Sequence, residues 1–373
     1  MTQKYLGKPY WIIIVMMAAI LLSGLACNLL SAQPQDPEVV EEMPPVEEPE
    51  PIEEPAEEPG FIPELTLRLV PTETGHTVES VAYSHDGSQI AVGTFRLVDI
   101  FDAASGELLK SMPDMPHSVD ELAFTPDDQS IFAAFSLGGV NRYSLADQSL
   151  MVDFHGGYDN YLALSPDGTQ IATGNRSGET WVWDADSGEQ ILELNPADYV
   201  DVKPDYLTSL AYSPDGGIIA AGDWNGYIFL WDASTGDLVR TIEPETDYCG
   251  TWGMSFSPDG QFLAVGGHQV GFEPTVKVYN VANGELAWVL DEASRPGSMS
   301  APAAFSPDGA LLAAGTTDGI TLWSLPEMSL YTHIEIEVSE DSDWVTDLAF
   351  SPDSRYLAAA YWNEYALVWQ VQE

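Results

Sequence analysis

The sequence predicts an all-β fold built from seven consecutive repeats. Three observations predict it. First, a four-residue turn motif recurs seven times with starts 40 to 49 residues apart: Ser84-His85-Asp86-Gly87, Thr125-Pro126-Asp127-Asp128, Ser165-Pro166-Asp167-Gly168, Ser213-Pro214-Asp215-Gly216, Ser257-Pro258-Asp259-Gly260, Ser306-Pro307-Asp308-Gly309 and Ser351-Pro352-Asp353-Ser354. Second, a short apolar run stands on each side of every turn. Third, a further run in most repeats ends in an aromatic residue, often followed by Asp.

The turn chemistry explains the motif. Proline presets φ at the first corner, Asp bonds nearby amides, and Gly accepts the left-handed conformation. The flanking runs, such as Ser209-Leu210-Ala211-Tyr212 before a turn and Ile218-Ile219-Ala220-Ala221-Gly222 after it, read as an inner hairpin buried on both faces. The third run ends at Phe101-Asp102, Trp183-Asp184, Trp231-Asp232, Tyr279-Asn280, Trp323-Ser324 and Trp369-Gln370. Gly-containing turns such as Ser187-Gly188 and Thr235-Gly236 then lead into a fourth, more exposed strand. The tryptophans of the third strand repeat with the fold and read as packing residues.

Four strands per repeat, with a Trp-Asp closing the third, resemble the WD40 propeller family. The resemblance covers about residues 64–373 and implies a seven-bladed β-propeller. The family's Gly-His before the first strand stands clearly only at Gly75-His76, and its His–Ser/Thr–Asp–Trp set is not completed in any repeat. The seventh repeat stops just after its third strand. An alternating segment, Leu65-Thr66-Leu67-Arg68-Leu69-Val70, precedes the first repeat. It is expected to supply the missing outer strand and close the ring, leaving no open edge.

Ahead of the repeats lies a different kind of sequence. Lys4 and Lys8 precede an apolar run from Tyr10 to Leu22, followed by small residues and Cys27. This is the layout of a signal peptide. Gly24-Leu25-Ala26-Cys27 resembles the lipobox of bacterial lipoproteins, which implies cleavage before Cys27 and acylation of that cysteine. Without cleavage, Tyr10–Ala26 is just long enough to span a bilayer, and Lys4 and Lys8 would stay in the cytoplasm. Both routes put the body outside the membrane. Residues 27–63 continue with repeated Glu-Glu-Pro and read as an extended tether. The expected domains are therefore a signal or anchor segment (1–26), a lipidated Cys27 with its tether (27–63), and the propeller (64–373).

The chain carries 59 Asp+Glu against 12 Lys+Arg, a formal net charge of −47. Residues 1–63 hold only 11 of those acids, so the acidity belongs to the repeats. Such a body repels nucleic acid, whose binding needs cations to replace phosphate counterions. Neutral or basic partners are compatible with it. No Gly-x-Ser-x-Gly elbow, His-Glu-x-x-His or P-loop is present, and no catalytic, metal or cofactor residues are assigned. Cys249 reads as a loop thiol.

In an antiparallel repeat, the loops after the second and fourth strands emerge on one common face. The aromatic residues expected there are Tyr206, Trp224, Tyr248, Trp252, Trp344, Tyr361 and Trp362, with Asp223, Asp247 and Asp341 beside them. Clustered Trp and Tyr point to a binding face. The reading is a membrane-tethered, extracytoplasmic scaffold for protein partners. The alternatives are a glycan or small-solute receptor and a propeller enzyme of the lactonase or dehydrogenase kind.

Overall fold

The computed structural model describes residues 62–73, 75–154, 159–175, 177–198, 206–244, 248–269, 273–290, 302–316, 319–336, 344–362 and 364–372. The signal segment, Cys27 and most of the tether lie outside the described residues, as do Asp247 and Asp341. Among the described residues no helix is long and apolar enough to cross a membrane.

The described chain forms six antiparallel sheets, labelled A to F in chain order. Sheet A holds Val78–Tyr83, Gln89–Asp102, Leu108–Phe124, Ser130–Phe135, Gly139–Ser144 and Leu150–Phe154. Sheet B runs from Asp159–Leu164 to Gln190–Leu194, sheet C from Leu207–Tyr212 to Leu238–Ile242, and sheet D from Tyr248–Phe256 to Leu286–Leu290. Sheet E runs from Ala303–Phe305 to Ser329–Glu335. Sheet F holds Val345–Phe350, Tyr356–Tyr361 and Ala366–Gln370, and its fourth strand is Glu64–Leu69. That strand pairs antiparallel with Ala366–Gln370, Leu69 opposite Ala366, and Leu69 is fully buried. The first described strand thus completes the last sheet.

The expectation of seven separate four-stranded sheets is corrected: six sheets are present among the described residues, and sheet A has six strands. The reason lies in two long strands. Leu108–Phe124 pairs through its first half with Gln89–Asp102 and through its second half with Ser130–Phe135, so hydrogen bonding is continuous across repeats one and two. Gln89–Asp102 also reverses within its own length. The Ala103 amide donates to Ser88 O at 2.9 Å, a contact that a straight strand of that length could not make. The reversal falls near Arg96, whose φ is 63°.

The sheets pack side by side in a ring, with the first strand of sheet A against sheet F. Seven apolar clusters fill the spaces between consecutive repeats. Six lie between neighbouring sheets. The seventh lies inside sheet A, between Val98, Ile100 and Met112 of one half and Leu122, Phe124 and Ile131 of the other. Trp183, Trp231, Trp323 and Trp369 are all buried in these clusters. Trp183 donates through Nε1 to Thr173 Oγ1 at 2.9 Å, one link of the hydrogen-bonded set that the sequence leaves incomplete.

The turn motif is built alike in all seven repeats. Its first hydroxyl, from Ser84 to Ser351, donates to the Asp two residues on at 2.6–2.8 Å. These bonds hold Asp215 and Asp259 below the usual carboxylate range, the Ser213 and Ser257 hydroxyls contributing most. Neighbouring turns also interlock. Gly168 has φ 72°, and a Cβ there would lie 2.5 Å from Cδ of Pro126. Gly87, Gly216, Gly260 and Gly309 face the prolines of their preceding turns in the same way. The two repeats that lack this Gly use a side chain instead. Asp128 accepts from the His85 amide at 2.8 Å and the Asp86 amide at 2.9 Å, and Ser354 Oγ accepts from the Asp308 amide at 3.0 Å.

Candidate protein-interaction face

Antiparallel order puts the Ser-Asp turns at one end of every sheet and the loops after the second and fourth strands at the other. The expected aromatic residues collect at that second end. They are held by backbone bonds between loops: the Trp224 amide donates to Tyr206 O at 2.8 Å, and the Trp362 amide to Trp344 O at 2.9 Å.

Four tryptophans there form two pairs. Trp224 and Trp252 meet edge to face with ring centroids 4.9 Å apart, and Trp344 stacks on Trp362 at 4.9 Å with 16° between the planes. All four are half-buried. Each pair removes part of its own apolar surface from water and leaves the rest accessible. Tyr206 is 49% exposed.

Two expected face residues are withdrawn from solvent. Tyr361 is 2% exposed and packs against Trp369 and Tyr365, because it closes a strand whose side chain points into the sheet interface. Asp223 is fully buried, and its Oδ1 accepts from the Asn225 and Tyr227 amides at 3.0 and 2.8 Å. It caps its own turn and has no surface to offer a partner. The backbone of Tyr248 lies on the first strand of sheet D, and no side-chain placement is described for it. Cys249 is on that same strand and not in a loop.

Sequence reasoning missed two exposed apolar residues on this face. Phe95, 46% exposed, lies at the reversal in sheet A and packs its ring against His76 at 5.1 Å. Leu137, 50% exposed, sits in the loop after Ser130–Phe135. Phe95 stands within the reversing strand and Leu137 in a loop of three residues, so neither draws attention in the sequence. The usable signal was their place at or just beyond the end of the buried apolar run that follows each Ser-Asp turn.

Beneath the face, the first strands of the sheets surround a cavity of about 630 Å³. A smaller one of about 340 Å³ adjoins it beside sheets A and B. Trp252 and Tyr161 line the larger cavity together with Asp120, Glu121 and Asp347. Burial pushes Glu121 up to about 8, against the pull of the Leu162 amide and reinforced by the charges of Asp347 and Asp120. Burial likewise pushes Asp347 up to about 7, opposed by the Val81 and Leu348 amides. Glu79, on the first strand of sheet A, is pushed up by burial to about 7 against its bond from Thr77. Among the described residues no group of three or more His, Cys, Asp or Glu is placed to hold a metal ion.

The repeat geometry and a buried Trp in the third strand have direct counterparts among known proteins. Residues 202–232, 236–280 and 330–370 match the WD domain, G-beta repeat family. The chain carries WD40 repeats on a β-propeller. Within this WD40 propeller, the matched stretches lie in sheets C, D, E and F, where the third-strand aromatics are Trp231, Tyr279 and Trp369. It is 29% identical over 127 residues to the WD repeat-containing protein SL1-17 of Schistosoma mansoni, covering 34% of this chain and 38% of that protein. It is 25% identical over 145 residues to the small ribosomal subunit protein RACK1 of Glycine max, covering 35% of this chain and 42% of that one. A RACK1 from Candida albicans is 28% identical over 123 residues. The chain thus matches about two fifths of the length of these curated relatives.

Proposed function

We propose that this WD40 propeller is a scaffold that binds a protein partner on its aromatic face, and that its N-terminus anchors it outside a membrane. The observation that carries the binding reading is the two tryptophan pairs, Trp224/Trp252 and Trp344/Trp362, gathered with exposed Phe95, Leu137 and Tyr206 at one end of the ring. Half-exposed aromatic residues on a rigid frame provide contact area at little cost in conformational entropy. The net charge of −47 favours a partner with a neutral or basic surface and disfavours nucleic acid. A ribosomal role, which the printed name gives to the RACK1 relatives, fits that charge poorly.

We read sheet A as two blades joined along Leu108–Phe124, which makes seven blades with Glu64–Leu69 closing the last. Seven turn motifs and seven apolar clusters support this reading. Acylation of Cys27 supplies the anchor, and residues 28–63 space the propeller from the surface. The glycan alternative is weaker, because Trp344 and Trp362 cover one face of each other and a sugar-stacking platform needs an open ring.

The test is a pull-down from detergent-solubilised envelope with the full tagged chain, beside a Trp224→Ala/Trp252→Ala/Trp362→Ala variant of equal thermal stability. A protein retained by the first and lost from the second places the interface on this face. Equal recovery by both sinks the assignment. An alkyne fatty acid incorporated by the chain and lost in Cys27→Ala would establish the anchor.

A further inference from the structure

The first strands of the sheets surround the cavity, so the fourth strand of each repeat is the outer edge. An outer edge presents unpaired amides and carbonyls to any extended chain, and a charged side chain on it is the common guard. Here the guard recurs at one place. Each outer segment closes on a buried apolar residue, such as Leu194 in sheet B and Leu290 in sheet D. The residue before it is charged or polar in six repeats: Arg68, Ser111, Asp153, Glu193, Thr241 and His333. In sheet D it is Val289, 42% exposed.

Among the described residues, Leu286–Leu290 is the only outer strand without a charged side chain. It has a ladder partner on one side only. Its register slips at its start, and Trp288, Val289 and Leu290 then pair regularly with Val278, Lys277 and Val276. Leu286 and Ala287 are exposed beside Val289. Trp288 is held edge-on by Phe262, ring centroids 5.0 Å apart, and stays half-buried. The edge is thus apolar, rigid and open. Acids bound it in the sequence: Glu285 precedes the strand, and Asp291 and Glu292 follow it.

We propose that Leu286–Leu290 is a second docking edge, which takes an extended apolar segment of a protein partner, flanked by Lys or Arg, as a fifth strand of sheet D. Backbone pairing supplies the affinity in such an addition, and side chains at alternate positions supply the selectivity. The flanking acids choose the occupant. A second copy pairing antiparallel on the same strand would set Glu285 toward Asp291 and Glu292 of the other copy, and like charges placed opposite are destabilising. The chain's own Glu-Glu-Pro segment brings more acid, and its prolines lack the amides that a ladder needs. A segment with basic flanks meets opposite charge at both ends. This edge is separate from the tryptophan pairs, so failure of either assignment leaves the other standing.

The probe is a dye-labelled peptide of alternating valine and threonine with two lysines at each end, titrated with the full chain and followed by fluorescence anisotropy. Wild type and Val289→Thr, which keeps an uncharged β-branched edge, should bind it alike. Val289→Lys should weaken binding about tenfold or more. The same change at an exposed valine of the neighbouring edge, Val239→Lys, should leave it within about twofold. A peptide with proline in place of threonine should not bind. The proposal is overturned if wild type shows no binding up to about 1 mM peptide. Equal weakening by the two lysine variants, or equal binding of the proline peptide, would reduce the effect to charge alone and also overturns it. A wild-type dimer that Val289→Lys dissociates in sedimentation would give the edge to a second copy and refute the stated occupant. If Val289→Lys does not fold, amide exchange in the wild type decides. The peptide should slow exchange in Leu286–Leu290 about fivefold or more and leave Leu238–Ile242 unchanged. Equal protection of both strands, or of neither, rejects the docking edge.

Discussion

The two ends of the propeller use the same residue classes differently. At the turn end, polar groups are consumed internally: each motif hydroxyl binds its own Asp, and neighbouring turns interlock through Gly–Pro contacts or side-chain caps. At the other end, the aromatic residues partner one another and still leave apolar surface in solvent. The turn end ties neighbouring repeats together, and the aromatic end keeps accessible the apolar surface that the proposed recognition requires. The difference teaches that a residue repeated in every blade serves the frame, whereas the aromatics that occur once or twice in equivalent loops are the ones the frame does not require.

That contrast can be broken most directly with two kinds of tryptophan. Trp231 is fully buried in the cluster between sheets B and C. Trp231→Ala should cost about 3–5 kcal/mol, the range for large-to-small changes in a core. Denaturant unfolding followed by circular dichroism measures it. A loss below about 1 kcal/mol would mean that the repeat tryptophans are not the packing residues described above.

The turn end gives the next largest effect. Gly168→Ala forces a Cβ onto a residue at φ 72° and against the ring of Pro126, 2.5 Å away. A loss of about 2 kcal/mol or more is expected from strain and overpacking together. The same change at Gly216, whose nearest proline atom is 3.7 Å from the added Cβ, should cost less because only the backbone term remains. Equal losses at the two sites would show that the interlock adds nothing to turn geometry.

A smaller effect tests the one junction where both partners depart from the motif. His85 stands where six repeats have Pro, and Asp128 stands where Gly is usual. The two substitutions meet in space: the amide that a proline would lack donates to the carboxylate that a glycine would lack. Asp128→Ala removes the acceptor of two exposed amides and should cost about 1 kcal/mol. The double change His85→Pro/Asp128→Gly rebuilds the contact used at five other junctions and should match the wild type. Its coupling energy, from a double-mutant cycle, should be about 1 kcal/mol, and simple additivity would dismiss the pairing.

Much of this was legible in the sequence because a repeat multiplies weak signals. The seven turns, their flanking strands and the packing role of Trp183, Trp231, Trp323 and Trp369 could all be read from period and residue type. The continuity of sheet A could not. It depends on a reversal at Arg96 and on the unbroken backbone of Leu108–Phe124, and neither leaves a mark in residue type. The site was only partly legible for a related reason. Tyr361 and Trp362 are adjacent in sequence, yet strand alternation sends one inward and leaves the other half-exposed. Asp223 resembled a surface acid until its turn amides were seen to occupy it.

The smallest expected effect on stability is the sharpest test of the comparison. Trp362→Ala removes a half-exposed ring whose main contact is Trp344, so the fold should lose no more than about 1 kcal/mol. Interfaces concentrate their energy in a few such residues, and truncation of one typically costs 2 kcal/mol or more of binding. A partner captured by the wild-type chain should therefore weaken by roughly 30-fold against this variant, measured by titration calorimetry, while thermal unfolding barely moves. The same measurement on Trp231→Ala should show the opposite order, a large loss of stability with affinity unchanged for the fraction that remains folded. If both variants lose stability and binding in proportion, the two ends of the ring are not separate in function, and the aromatic pairs belong to the frame.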